Sequence, residues 1–144
     1  MKRHLLVIVI LAVSCMTFLS SCKKDDEETK KDLITARWQG ETVTTNLTLN
    51  GVVLPAETEN ISTSFIEFNS NGTYTSDDNG AFDGSGTWKL SNGDKDIILD
   101  AGTADEATFT IDALTSSDLK LSFSEEETED GITFKVTGVI DFKK

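Results

Sequence analysis

Gly86-Thr87-Trp88-Lys89-Leu90-Ser91-Asn92-Gly93-Asp94-Lys95-Asp96-Ile97-Ile98-Leu99 is the stretch that decides the architecture. Apolar and polar side chains alternate on both sides of Asn92-Gly93, and Asn-Gly is the dipeptide that best tolerates the positive φ of a tight hairpin turn. Residues opposite each other across a hairpin share one face of the sheet. A two-residue turn at Asn92-Gly93 pairs Ser91 with Asp94, Trp88 with Ile97 and Gly86 with Leu99, which collects Trp88, Leu90, Ile97 and Leu99 on one face. The stretch reads as an antiparallel hairpin with one apolar side.

Other turns pass the same test. Asn-Gly recurs at Asn50-Gly51, Asn71-Gly72 and Asn79-Gly80, and Asp-Gly stands at Asp83-Gly84 and Asp130-Gly131. A two-residue turn at Asn50-Gly51 pairs Leu49 with Val52 and Leu47 with Leu54, again gathering apolar side chains. At Asn71-Gly72 the same turn would set Phe68 opposite Thr75. A three-residue loop, Ser70-Asn71-Gly72 with Gly72 as a bulge residue, pairs Phe68 with Tyr74 instead. A Thr115-Ser116-Ser117 loop brings Ile111 opposite Leu121 and Phe109 opposite Phe123. The final segment, Ile132, Phe134, Val136, Gly138, Ile140 and Phe142, holds one parity throughout, with Gly138 as a bend where a long strand curls.

No helical period emerges from Leu33 onward. Strands are predicted near residues 37–45, 47–49, 52–54, 62–69, 73–77, 85–91, 95–100, 106–112, 118–124 and 132–142. Strands joined by tight turns pair in sequence, so the fold class is all-β: an antiparallel up-and-down meander. Closure hides the sheet edges, and a barrel of about eight strands has room for packed side chains or one small ligand.

The residues that carry a resemblance are Ala36-Arg37-Trp38, Ile66-Glu67-Phe68 through Gly72-Thr73-Tyr74, Gly86-Thr87-Trp88-Lys89-Leu90, Phe109-Thr110-Ile111 with Leu114-Thr115, and Leu119-Lys120-Leu121. In that order they resemble the lipocalin-like lipoproteins of Bacteroidota-type bacteria, over a domain from residue 33 to 144. Ala36 stands where lipocalins proper carry Gly. The resemblance implies a closed barrel, Trp38 as its plug, and a basic partner for that Trp near the last strand, for which Lys135, Lys143 and Lys144 are the candidates. It also implies binding of a small hydrophobic or amphipathic molecule. The inward set that would line such a cavity is Phe68, Tyr74, Trp88, Leu99, Phe109 and Phe123.

The N-terminus reads as an address. Lys2 and Arg3 precede an apolar run, Leu5 to Val13, that is too short for the roughly 20 residues a bilayer span needs. This is the layout of a secretory signal peptide over residues 1–21. Leu19-Ser20-Ser21-Cys22 resembles a bacterial lipobox, which implies cleavage before Cys22 and diacylglycerol on its thiol, with Cys15 lost and no disulfide left to form. Residues 22–32 then hold the lipidated Cys and a charged tether without a core-forming side chain up to Lys31. Lys24-Asp25-Asp26 resembles the export signal that sends such lipoproteins to the outer face of the outer membrane.

Of 144 residues, 13 are Lys or Arg and 25 are Asp or Glu, and the one His is His4. From Asp32 onward there are 7 basic and 21 acidic residues, a net charge of -14. Nucleic-acid binding, which needs Lys and Arg to displace counterions, is therefore not expected. Loss of the signal peptide removes the only imidazole, and with it a His-based general base or zinc site. Glu125-Glu126-Glu127-Thr128-Glu129-Asp130 and Asp77-Asp78-Asn79-Gly80 with Asp83 are rich in oxygen but do not fit EF-hand spacing, and both read as solvated loops. No catalytic residue, metal ligand or cofactor is assigned, and an enzyme is not expected.

Two functions remain: an outer-membrane-anchored monomer that captures a small ligand in its barrel, or a non-catalytic surface lipoprotein that makes protein or glycan contacts around a packed interior. A connected cavity of several hundred cubic ångströms lined by Trp88 and Phe68 would favour the first.

Overall fold

The structure is a computed structural model that describes residues 28–77, 82 and 84–144. Cys22 and Lys24-Asp25-Asp26 lie outside the described residues, as do Asp78, Asn79, Gly80 and Asp83 of the oxygen-rich turn.

A helix, α1 (Lys30–Ile34), precedes ten strands: β1 (Arg37–Leu49), β2 (Val52–Val53), β3 (Glu57–Asn60), β4 (Phe65–Phe68), β5 (Thr73–Ser76), β6 (Ser85–Ser91), β7 (Asp96–Leu99), β8 (Ala107–Leu114), β9 (Asp118–Glu129) and β10 (Ile132–Lys143). From β4 to β10 each strand pairs with the next, β4 pairs with β1, and β10 returns to β1. That ring of β1 and β4 to β10 is a closed antiparallel barrel of eight strands. Its edges are hidden by closure, as the meander predicts. The short β2 and β3 lie outside the ring, both paired with β1.

The faces follow the sequence, and so do the hairpin turns apart from that at Asn92-Gly93. Asn50 and Gly51 take φ of 47° and 83°, and Leu49 pairs with Val52. Gly72 takes φ of 85° and Phe68 pairs with Tyr74, as the three-residue loop requires. At Asn92-Gly93 the two-residue turn is wrong. Trp88 pairs with Leu99 and Leu90 with Ile97, because Asn92, Gly93 and Asp94 all take positive φ and Lys95 N donates to Ser91 O to close a longer loop. The shift is two residues, so every side chain keeps its face.

Thr115, Ser116 and Ser117 separate β8 from β9, as the expected three-residue loop does. Ile111 does pair with Leu121, but a bulge at Asp112 moves the register by one, so that Leu114 meets Leu119. The bulge turns Leu114 inward in place of Ala113.

Four elements differ from the sequence expectation. The acidic run Glu125–Glu129 is not a loop but the outer half of β9, paired residue by residue with β10. Residues 37–49 form one strand, not two, since Asn46 pairs with Thr137 without a break. The strand expected at 62–69 starts at Phe65, because the Asn60 side chain accepts from Ser62 N and Oγ and turns the chain there. Thr29, at the end of the expected tether, caps α1 through a capping box with Asp32. Five residues are too few to show a helical period.

The two ends of the barrel differ. Ile34 of α1 covers one end together with Trp38, Ile66, Phe68 and Leu119, each at most 1% exposed. The turns after β5 and β7 form the other end, the mouth. Beyond the mouth, β9, β10 and β1 continue as an extended sheet with β2 and β3 at its side.

Candidate binding site at the barrel mouth

The predicted lining set divides between the two ends. Phe68 and Trp88 belong to the floor: their rings pack edge to face at 5.3 Å, and the Trp88 indole N–H donates to Asn69 O at 2.9 Å. Trp88 also borders a separate pocket of about 240 Å³ with Thr29, Lys31 and Asp94. Phe123 packs against Phe109, centroids 6.0 Å apart. Tyr74, Leu99 and Phe109 reach the mouth, where they line a cavity of about 430 Å³ with Phe82, Ser85, Asp100, Asp105 and Ala107. The cavity is of ligand size, but it is not lined by Trp88 and Phe68.

Trp38 is fully buried beside α1, and its indole N–H donates to Ile34 O at 2.8 Å. Of the three candidate basic partners, Lys144 takes the position, with Nζ 4.9 Å from the Trp38 ring centroid. A cation over an indole face is attracted by the ring quadrupole.

Phe82 determines the depth of the cavity. It is buried, with its ring 5.2 Å from that of Phe109 and 6.1 Å from that of Phe142, a residue of the barrel's lower half. Phe82 thus fills the middle of the barrel, and it lines the cavity at the mouth. Sequence reasoning missed this residue, although a lone large apolar side chain within Asp77-Asp78-Asn79-Gly80-Ala81-Phe82-Asp83-Gly84 was a readable sign that the loop sends something inward.

Asp100 is the polar centre of the mouth. It follows β7 with φ of 48°, and its carboxylate turns back across the sheet. Oδ2 accepts from the Tyr74 hydroxyl at 2.8 Å and Oδ1 from Thr87 N at 2.8 Å. Gly86, the cross-strand partner of Tyr74, makes room for it, since a Cβ there would overlap the Asp100 carboxylate. Asp105 adds a second carboxylate on the wall, and among the described residues no Lys or Arg lines the cavity. The mouth therefore brings apolar rings and carboxylates together around one cavity, an arrangement suited to an amphipathic molecule. Among the described residues, no cluster of carboxylates has the geometry to hold a metal ion.

The sequence model of a family described as "Lipocalin-like domain" matches residues 34–121, from the last residue of α1 into β9. No curated protein matches the chain.

Proposed function

Because this chain belongs to the lipocalin-like domain family, we propose that it binds a small amphipathic ligand at the mouth of its barrel. The carrying observation is the cavity of about 430 Å³ lined by Phe82, Leu99 and Phe109 together with Asp100 and Asp105. The apolar part of the ligand lies against the rings, and a cationic or hydrogen-bond-donating end meets the carboxylates. The domain's charge of -14 from Asp32 onward favours such an end by long-range attraction. The floor is filled by Phe68, Trp88 and Phe82, so the ligand sits at the mouth and not along the barrel axis. The role is binding, not catalysis.

The reading extends to place. Leu19-Ser20-Ser21-Cys22 supports a diacylglycerol anchor on Cys22, and Lys24-Asp25-Asp26 supports the outer face of the outer membrane. Two or more acyl chains hold a protein stably at a bilayer, where one chain holds it only marginally.

Native mass spectrometry of the protein purified from its own host tests the ligand. A bound molecule is expected on the wild type and its loss on Asp100→Ala; a wild type that carries nothing overturns the proposal. For the anchor, Cys22→Ala should move the protein from the membrane fraction to the soluble fraction. Retention in the membrane would disprove lipidation at that residue.

A further inference from the structure

The sheet that continues past the mouth has one apolar face that no element covers among the described residues. Val43 pairs with Ile140, which is fully buried, so this pair marks the inward face. Following the alternation outward, the same face carries Leu47 and Leu49 on β1 and Val136, Phe134 and Ile132 on β10. Val52 joins them opposite Leu49. This strip leaves the core and enters solvent: Phe134 is 37% exposed, Ile132 44% and Val52 63%. It is rigid, because Asn50 N donates to Thr133 O and Thr133 N donates to the Asn50 side chain, each at 2.9 Å, tying the two hairpin tips together.

Carboxylates border the strip. Glu125, Glu127 and Glu129 stand opposite Val136, Phe134 and Ile132 on β9, and Glu57 and Glu59 stand opposite Thr45 and Val43 on β3. None of the residues that the register places on this face of β1, β2, β3, β9 and β10 is Lys or Arg. Contiguous exposed apolar surface rimmed by charge marks an interaction site.

We propose that this face docks a cationic amphipathic polypeptide segment, a helix with one apolar side and Lys or Arg along its flank. Complementary charge decides the occupant. A second copy that packs the same face against this one brings no cation to it, and an anionic bilayer would be repelled by it. The spacing also suits a helix: alternate residues of β9 stand about 7 Å apart, and residues i and i+4 of a helix are about 6 Å apart along its axis. Cations at i, i+4 and i+8 therefore meet Glu125, Glu127 and Glu129 in turn while the apolar side covers Phe134, Leu49 and Val136.

Fluorescence anisotropy tests the proposal on the full-length protein. The probe is a labelled synthetic helix of about 18 residues, long enough to be helical on its surface, with Leu on one side and Lys along the flank. The comparison peptide carries Glu in place of Lys. The Lys peptide is expected to bind, more weakly as salt rises, and the Glu peptide is not. The exposed triple change Glu125→Gln, Glu127→Gln and Glu129→Gln should weaken binding about tenfold or more, as should Phe134→Ser. Glu126→Gln, on the opposite face of β9, and Asp100→Asn in the mouth should leave it unchanged. Unchanged affinity in the triple variant would overturn the proposal, and self-association of that variant would then identify the carboxylates as guards of an open strand edge. Equal binding of the Glu peptide, or equal weakening by Glu126→Gln, would overturn it as well.

Discussion

The ring of Phe123 lies against the backbone of Gly138, its cross-strand partner, at the level where β9 and β10 leave the barrel. A Cβ on Gly138 would overlap that ring. Gly138 has no positive φ, so the position requires space and not an unusual backbone. Gly138→Ala should cost about 1–3 kcal/mol, as overpacking does, read as a lower urea midpoint. Phe123→Ala makes room, so the same glycine change should cost clearly less in that background. An equal cost in both backgrounds would show that the ring is not what constrains Gly138.

The carboxylate of Asp100 joins two strands by accepting from Tyr74 on β5 and from Thr87 on β6. Asp100→Ala leaves both donors without that acceptor, at a cost of about 1–3 kcal/mol. Gly86→Ala should reproduce much of the loss by pushing the carboxylate away, although it removes no polar group. The two changes combined should therefore cost less than their sum. Thermal unfolding of the two single variants and the double variant is the check, and simple additivity would contradict this geometry.

Faces are legible in the sequence even where a loop is not, and the reason is parity. The hairpin at Asn92 slipped by two residues and still placed Trp88 and Leu99 together, since only an odd shift reverses a strand. The bulge at Asp112 is such an odd shift, and no residue type there announces it. The acidic run 125–129 was misread because charge suggested a loop. Yet β10 holds one parity from Ile132 to Phe142, and a strand that long in a closed sheet needs an equally long neighbour. In the site, Tyr74, Leu99 and Phe109 were identified by their inward face, whereas assigning Phe68 and Trp88 to the floor required knowing which end α1 covers. Asp100 was hidden for a related reason: its importance lies in a carboxylate that turns back across two strands, which periodicity does not encode.

Trp38 combines three roles that separate by substitution. Its ring fills the end of the barrel, its N–H satisfies Ile34 O, and Lys144 lies over its face. Trp38→Ala should cost about 3–5 kcal/mol, as loss of a buried aromatic does. Trp38→Phe keeps much of the volume but leaves the carbonyl without its donor, for about 1–3 kcal/mol. Lys144→Ala, at the exposed chain end, should cost about 0.5–1 kcal/mol. Urea denaturation should rank them in that order, and a Lys144 effect as large as that of Trp38→Phe would mean the cation does more than sit on the ring.

Asp118, the first residue of β9, should make stability depend on acid pH. The Ser117 hydroxyl donates to Asp118 Oδ2 at 2.5 Å and the Thr115 hydroxyl at 3.1 Å. These bonds, that of Ser117 foremost, hold the carboxyl below the usual Asp value. A group whose pKa is lowered by folding contributes stability above its unfolded value, about 3.9, and loses it as pH falls through the folded value. Asp118→Asn should therefore be less stable than wild type at pH 7. The gap should close as the pH drops below about 4, where protonation of the wild-type carboxyl removes its advantage. Paired urea titrations at pH 7, 4 and 2 provide the measurement. A gap of constant size across that range would show that the hydroxyls do not favour the charged carboxylate.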